Sequence, residues 1–230
     1  MKKSWFITGT DTEVGKTWAT ICLMQEMQSM GYVVNGMKPI AAGANFHAGQ
    51  LSNEDALLIQ QQSSTKLEYS MVNPVLFEEP IAPHIAAIES DEEIDIDKLV
   101  NTYSHLKSLS DLLLVEGVGG WRVPLGHEQS IYNLVKALDL PVILVVGLRL
   151  GCINHAILTA ETILKDGLCL SGWMLSEIDK DYLYKQRTID TLISALNCPY
   201  LAEIPHRADS SIQHASLNRQ DSFQDLFKSK

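Results

Sequence analysis

Gly15-Lys16-Thr17 have the types and the order to hold a phosphate. A glycine lets backbone N–H groups close on an anion, a lysine reaches the β- and γ-phosphates of a nucleotide, and a threonine hydroxyl ligates Mg²⁺. The stretch they close, Phe6 to Thr20, reads FITGTDTEVGKTWAT. It departs from the usual G-x-x-x-x-G-K-[ST]. Where that pattern needs its first glycine this chain has Thr10, and the glycine, Gly9, comes one residue earlier. The longer loop also carries two acids, Asp11 and Glu13, in a cradle meant for anions.

Further residues could serve the same chemistry. Glu116 ends the apolar run DLLLVE directly before glycines, where a Walker B acid would bind a metal or its water. Asp55 falls in the first turn of a predicted helix, so a metal role and a helix-dipole role are both open. Lys38 ends a second apolar run just before Pro39, a further cation able to neutralise charge on a transferring phosphoryl group.

The elements that must position these residues follow from periodicity. Short apolar runs alternate with helical patterns. SWFITG, YVVNGMKPI, DLLLVEGVGG, LPVILVVG, LCLSGWMLSE and CPYLAEIP read as strands. Residues 16–30, a segment opened by a Ser52 cap, INHAILTAETILKDG and residues 184–196 read as helices. Residues 63–94, with Pro74, Pro80 and Pro83, read as irregular. Uninterrupted Val/Ile/Leu strands require a sheet covered on both faces. The expected fold is α/β, a doubly wound, mostly parallel sheet flanked by helices, like that of P-loop NTPases, with ligands at the carboxyl ends of the strands. One domain over 1–230 is expected, with a polar tail from about residue 207.

Bulk properties bound the function. The chain has 230 residues and a formal net charge of −10, which works against nucleic-acid and anionic-membrane partners. No apolar run reaches the roughly 18 residues of a membrane span, and the N-terminus lacks a signal-peptide pattern, so a cytoplasmic protein is expected. Cys22, Cys152, Cys169 and Cys198 form neither C-x-x-C nor a zinc pattern and read as thiols in a reducing compartment.

The segment Gly9 to Thr17 closely resembles the phosphate loop of dethiobiotin synthetases. The resemblance continues through MKPIAAG, NEDA, NPVLFEEPIAPH, LLLVEGVGGW, LPVILVVGLRLGCINHAILTA and a late GW, in the family's order and spacing from residue 6 to about 205. It implies an enzyme that converts 7,8-diaminopelargonic acid, CO₂ and Mg-ATP into dethiobiotin, ADP and phosphate, by way of a carbamate and a carbamic-phosphoric anhydride. It also implies a homodimer.

Carried over by position, Lys16 and Lys38 are the charge-stabilising lysines, and Thr17, Asp55 and Glu116 hold Mg²⁺. Nucleotide contacts are expected from Glu13, Val14, Gly15, Lys16, Thr17 and Trp18, then from Asp55, Glu116, Gly117, Val118, Gly119, Ser176, Pro205 and His206, with Pro205 and His206 where the family holds the adenine ring. Thr12 and Glu13 stand between triphosphate and diamine, which gives the acidic insert a purpose: it can face amines. Capping the helix is the alternative role for Glu13 and Asp11. Gly151, Cys152, Ile153 and Asn154 are expected to receive the substrate carboxylate across the dimer interface.

Three departures stand out. Ala42 replaces the family's usual serine, and Ser176 replaces an asparagine that reads adenine, which suggests looser base discrimination. The family's tyrosine near the carboxylate has no clean match, with Tyr182 and Tyr184 nearby. Among other residues, His84 is expected to shape the substrate pocket, His155 to serve packing or an interface, and Trp121 to cover the active-site edge. The competing class is a partitioning or scaffold switch ATPase of the same superfamily. The acidic balance and the lack of a second lysine early in the loop weigh against it.

Overall fold

The computed structural model describes residues 2–47, 49–206 and 217–227. The chain runs β1 (Lys3–Gly9), α1 (Lys16–Ser29), β2 (Val34–Met37), β3 (Ile40–Ala42), β4 (Asn45–His47), β5 (Gln50–Ser52), α2 (Glu54–Gln62), α3 (Tyr69–Val72), β6 (Val75–Phe77) and α4 (Pro83–Glu89). It continues through α5 (Ile96–Ser108), β7 (Leu112–Glu116), β8 (Pro124–Gly126), β9 (Gln129–Ser130), α6 (Ile131–Leu138), β10 (Val142–Gly147), α7 (Cys152–Lys165), β11 (Leu170–Ser176), α8 (Lys185–Ala195), β12 (Tyr200–Ile204) and β13 (Asn218–Arg219), and ends in a 3₁₀ turn over Asp221–Phe227.

Seven strands form the main sheet in the order β13-β12-β11-β10-β1-β7-β2. Every pairing in it is parallel except β12 with the short β13. Strands β7 and β10 are buried along their whole length, as their uninterrupted apolar sequences require. Each fully buried Leu, Ile or Val side chain there contributes roughly 1.5–3 kcal/mol. Helix α1 lies deep as well, with Ile21, Leu23, Met24 and Met27 all at 0% exposure.

The predicted strand YVVNGMKPI is two strands. Pro39 has no N–H to continue the ladder. The chain leaves β7 after Met37 and re-pairs as β3 against β6. The cap of α2 is Asn53, whose side chain accepts from Ala56 N–H at 3.3 Å, rather than Ser52, which ends the β4–β5 hairpin. Such a cap is worth about 1 kcal/mol. Residues 63–94, expected to be irregular, hold α3, β6 and α4: β6 forms by pairing with β3, and α4 opens on Pro83, whose fixed φ suits a first helical turn. The end of the charge run 89–97 serves α5, where the Asp95 carboxylate accepts from Lys98 N–H. The polar tail expected from about 207 lies partly outside the described residues.

Cys22 and Cys152 are buried, Cys198 is half-buried and Cys169 is exposed. Burial pushes the Cys22 thiol up to about 12 and, with Cys169 beside it, the Cys198 thiol up to about 11.

Candidate active site

The loops that leave β1, β2, β7, β11 and β12 meet at the carboxyl edge of the sheet and line a cleft of about 480 Å³. Register accounts for its centre. Ile7 of β1 pairs with Glu116 of β7, and Met37 of β2 pairs with Val115. The next residue on β2's path, Lys38, therefore arrives beside Glu116. Its ammonium lies 2.5 Å from Glu116 Oε1 and 3.1 Å from Asp55 Oδ2. The Thr17 hydroxyl donates to the same Glu116 oxygen at 2.7 Å. Glu116 is wholly buried, and its second oxygen, Oε2, has no hydrogen-bond partner.

The charges are strongly perturbed. Burial depresses Lys38, but the two facing carboxylates outweigh it and hold the ammonium above its ordinary range. Burial raises Asp55, yet Lys38 and Thr17 bring it below the usual carboxylate value. Lys16 is lowered to about 8, chiefly by burial and further by Lys38, against the pull of Glu116.

The long phosphate loop is tied down on its acidic side. The Asp11 carboxylate accepts from Thr12 N–H at 2.8 Å and pairs with Arg149, just before α7. Those partners lower it further than its slight burial raises it, the Thr12 N–H first. Lys16 Nζ donates to the Asp11 carbonyl at 2.9 Å, lying across its own loop. Gly15 has φ 85°, the left-handed region, and a Cβ there would collide with the Ser176 hydroxyl. Glu13 also takes a left-handed φ, 58°, which costs a non-glycine residue about 1–2 kcal/mol. Strain of this kind concentrates at functional loops.

The structure brings together most of the residues that sequence singles out. Thr12, Glu13, Gly15, Lys16, Thr17, Trp18, Lys38, Ala42, Asp55, Val118, Gly119, Ser176 and His206 line the cleft. Val14 is buried behind it, Gly117 donates its N–H to Ile7, and Pro205 adjoins His206. Gly151, Cys152, Ile153 and Asn154 do not line it; they open α7, with Cys152 buried. Trp121, expected at the cleft's edge, is buried elsewhere. Its indole N–H donates to Asp166 Oδ2 at 2.8 Å, and Arg122 takes the other Asp166 oxygen at 2.7 Å. His84 does not line the cleft, and its Nδ1 is buried without a hydrogen-bond partner. His155 shares a shallow 280 Å³ recess with Thr10 and Asp11. Tyr182 bonds the Thr188 hydroxyl, and Tyr184 is exposed.

Sequence reasoning assigned no role to Asn53, Tyr69, Asn73 or Glu177. Asn53 and Glu177 line the cleft. Asn73 Nδ2 donates to the Lys38 carbonyl at 2.7 Å. Asn53 and Asn73 sit inside the quoted motifs NEDA and NPVLFEEPIAPH, which were the available signal.

No cluster of three or more His, Cys, Asp and Glu residues able to hold a metal occurs among the described residues. Thr17, Asp55 and Glu116 are an oxygen-only donor set that suits Mg²⁺ completed by phosphate and water, and the orphaned Glu116 Oε2 is an acceptor that a cation would satisfy. No helix among the described residues is long and apolar enough to cross a membrane.

Fold and cleft together define a P-loop, nucleotide-binding α/β protein. Solved structures agree on the fold. FtsY of Thermotoga maritima gives a TM-score of 0.56 at 14% identity, covering 100% of this chain and 69% of that one. MinD of Pyrococcus horikoshii, complexed with Mg-ADP, gives 0.54 at 19%, covering 90% and 83%. A family model described as an AAA domain matches residues 3–213. Sequence relatives are nearer. ATP-dependent dethiobiotin synthetase BioD of Aromatoleum aromaticum is 43% identical over 206 residues, 90% of this chain and 92% of that protein. The BioD of Cellvibrio japonicus is 43% identical over 217 residues, 94% and 95%. That of Serratia marcescens is 46% identical over 178 residues, 77% and 78%. The chain belongs to the ATP-dependent dethiobiotin synthetase family and is an enzyme.

Proposed function

We propose that the protein closes the cyclic urea of dethiobiotin from 7,8-diaminopelargonic acid, CO₂ and Mg-ATP, a step of biotin biosynthesis. The observation that carries this reading is the buried Lys38 ammonium between Glu116 and Asp55, in one cleft with Lys16 and Thr17. One amine of the substrate attacks CO₂, and the carbamate forms as that nitrogen loses a proton. A carbamate oxygen attacks the γ-phosphorus and ADP leaves with the bonding pair. The second amine attacks the anhydride carbon, phosphate departs with the C–O pair, and the nitrogen's proton is lost.

In this reading Lys16 spans the β- and γ-phosphates, and Lys38 faces the charge that builds between carbamate and γ-phosphate. A preorganised cation of that kind is worth on the order of 10²- to 10³-fold in turnover. Thr12 and Glu13, exposed on the cleft, orient the amine or carbamate. Thr17, Asp55 and Glu116 would hold Mg²⁺, whose contribution is to neutralise phosphate charge. Ser176, at 3% exposure against the phosphate loop, gives the base one hydroxyl where an amide would offer two-sided contact, so base discrimination is loose.

The protein acts as a homodimer in the cytoplasm, the substrate carboxylate resting on the α7 N-terminus of a second copy. This is supported by the placement of Gly151–Asn154 outside their own chain's cleft and by Leu150 beside them at 90% exposure. A helix N-terminus suits a carboxylate.

The test is mass-spectrometric. Incubation with Mg-ATP, bicarbonate and the diamine gives a product carrying one added carbonyl carbon, only when all are present, and Lys38→Ala loses it. ATP hydrolysis indifferent to the diamine refutes the reading.

A further inference from the structure

Tyr69 lies outside the cleft, yet hydrogen bonds connect its hydroxyl to both polar ends of the site. The hydroxyl donates to Asn73 Oδ1 at 2.9 Å and accepts from the Asn53 backbone N–H at 2.8 Å. Asn73, 3% exposed, spends its amide N–H groups on the Lys38 carbonyl at 2.7 Å and the Val75 carbonyl at 3.0 Å. Lys38 N–H in turn donates to the Val72 carbonyl at 2.8 Å. Both backbone groups of Lys38 are thus fixed by residues 72–73.

The other arm fixes Asp55. Asn53 caps α2, and Asp55 is the second residue of that helix. Asp55 Oδ2 returns to the Lys38 ammonium at 3.1 Å. The connections close a ring: Lys38 carbonyl, Asn73 amide, Tyr69 hydroxyl, Asn53 N–H, the first turn of α2, the Asp55 carboxylate, Lys38 ammonium. Only one hydrogen-bond direction fits it. Asn73 must donate to two carbonyls, so its own oxygen faces Tyr69. The single Tyr69 proton goes to that oxygen, which leaves a lone pair for Asn53 N–H.

We infer that Tyr69 is a positioning residue for the reaction proposed above, its hydroxyl setting the distance between the Lys38 ammonium and the Asp55 carboxylate. The inference rests on that functional reading. No atom of Tyr69 need touch a reactant, and a phenylalanine would fill the same space while cutting the ring at one place. Asn73 Oδ1 and the Asn53 N–H would each lose a partner. The start of α2 could then shift relative to Lys38, and displacements near 1 Å cost up to about 100-fold in well-oriented reactions.

The experiment compares wild type, Tyr69→Phe and Lys38→Ala in steady-state dethiobiotin formation. In parallel, near-ultraviolet circular dichroism and urea unfolding measure the folded fraction of each variant. Expected for Tyr69→Phe is a kcat about 10- to 100-fold lower with KM for ATP within about threefold of wild type. The folded fraction of Tyr69→Phe equals that of wild type, so the loss in kcat reports lost alignment. Two results overturn the inference: wild-type kcat in Tyr69→Phe while Lys38→Ala is inactive, or a reduced kcat fully accounted for by a lower folded fraction, which marks lost folded protein rather than lost alignment. A Lys38→Ala enzyme as fast as wild type would remove the functional reading, and the inference with it. Should Tyr69→Phe fold poorly, Asn73→Ser cuts the same ring on its other side and faces the same two readouts.

Discussion

Replacing Lys38 with methionine tests the central arrangement without relying on turnover. In the protein without ligands this ammonium is the neighbour of a wholly buried carboxylate. At an effective dielectric constant of about 20, unit charges at the observed 2.5 and 3.1 Å attract by about 7 and about 5 kcal/mol. Neither figure is a net contribution. The Asp55 side chain is 45% exposed, so water screens its pair to about 1 kcal/mol or less. The Glu116 pair is dry, and its attraction is largely offset by the desolvation of both ions. What survives is the asymmetry of breaking it: a buried charge left without its partner costs about 3–5 kcal/mol. For a chain of 230 residues, at about 2–4 °C per kcal/mol, Lys38→Met should lower the melting temperature by about 6–20 °C. Thermal unfolding followed by circular dichroism in metal-free buffer measures it. Lys38→Met/Glu116→Gln, with both charges gone, should regain at least about half of the loss, since a neutral pair no longer strands an ion. A single variant that melts within about 2 °C of wild type, or a double variant less stable than the single, would refute the buried-pair reasoning.

Lys16, lowered to about 8 from an ordinary 10.5, is half deprotonated near pH 8 before nucleotide arrives, and phosphate charge should restore its proton. ATP binding should therefore take up protons at about pH 8–9 and almost none below about pH 7, with affinity falling as pH rises through 8; calorimetry in buffers of differing ionisation enthalpy reads this directly. Gly15→Ala places a Cβ at φ 85° against the Ser176 hydroxyl, so ADP binding should be lost along with about 1–2 kcal/mol of stability, checked by titration calorimetry and urea unfolding. Asp166→Ala removes the acceptor of the Trp121 indole and should cost about 1–3 kcal/mol in urea unfolding; no change would mean that the indole finds another partner.

The parts of this site that sequence reveals share one property: each is an exceptional residue at the end of a regular element. Lys16 and Thr17 open a helix after a glycine turn, and Glu116 ends a strand otherwise made of leucine and valine. A charge in such a place has no packing purpose and so draws attention. Tyr69 and Asn73 do not stand out that way. A tyrosine and an asparagine four residues apart in a proline-rich stretch look like loop residues until β3 pairs with β6 and brings the stretch under Lys38. Trp121 misleads for the same reason, because its partner Asp166 lies 45 residues away. Boundaries fail where a neighbour outside the pattern decides them. Ser52 has a good cap sequence, yet the β4–β5 hairpin claims it and the next residue caps instead.

The uneven placement of the four thiols has a practical consequence. Two are sealed in the core and a third is pushed up to about 11, so near neutral pH an alkylating dye should react at one position, Cys169. That residue precedes β11 at the amino end of the sheet, while Ser176 ends the same strand inside the cleft. Seven residue steps along the strand put about 23 Å between the two. A fluorophore there would sit one strand-length from the bound nucleotide on a rigid rod, a built-in ruler for energy transfer to a labelled ATP analogue that leaves every reacting group untouched.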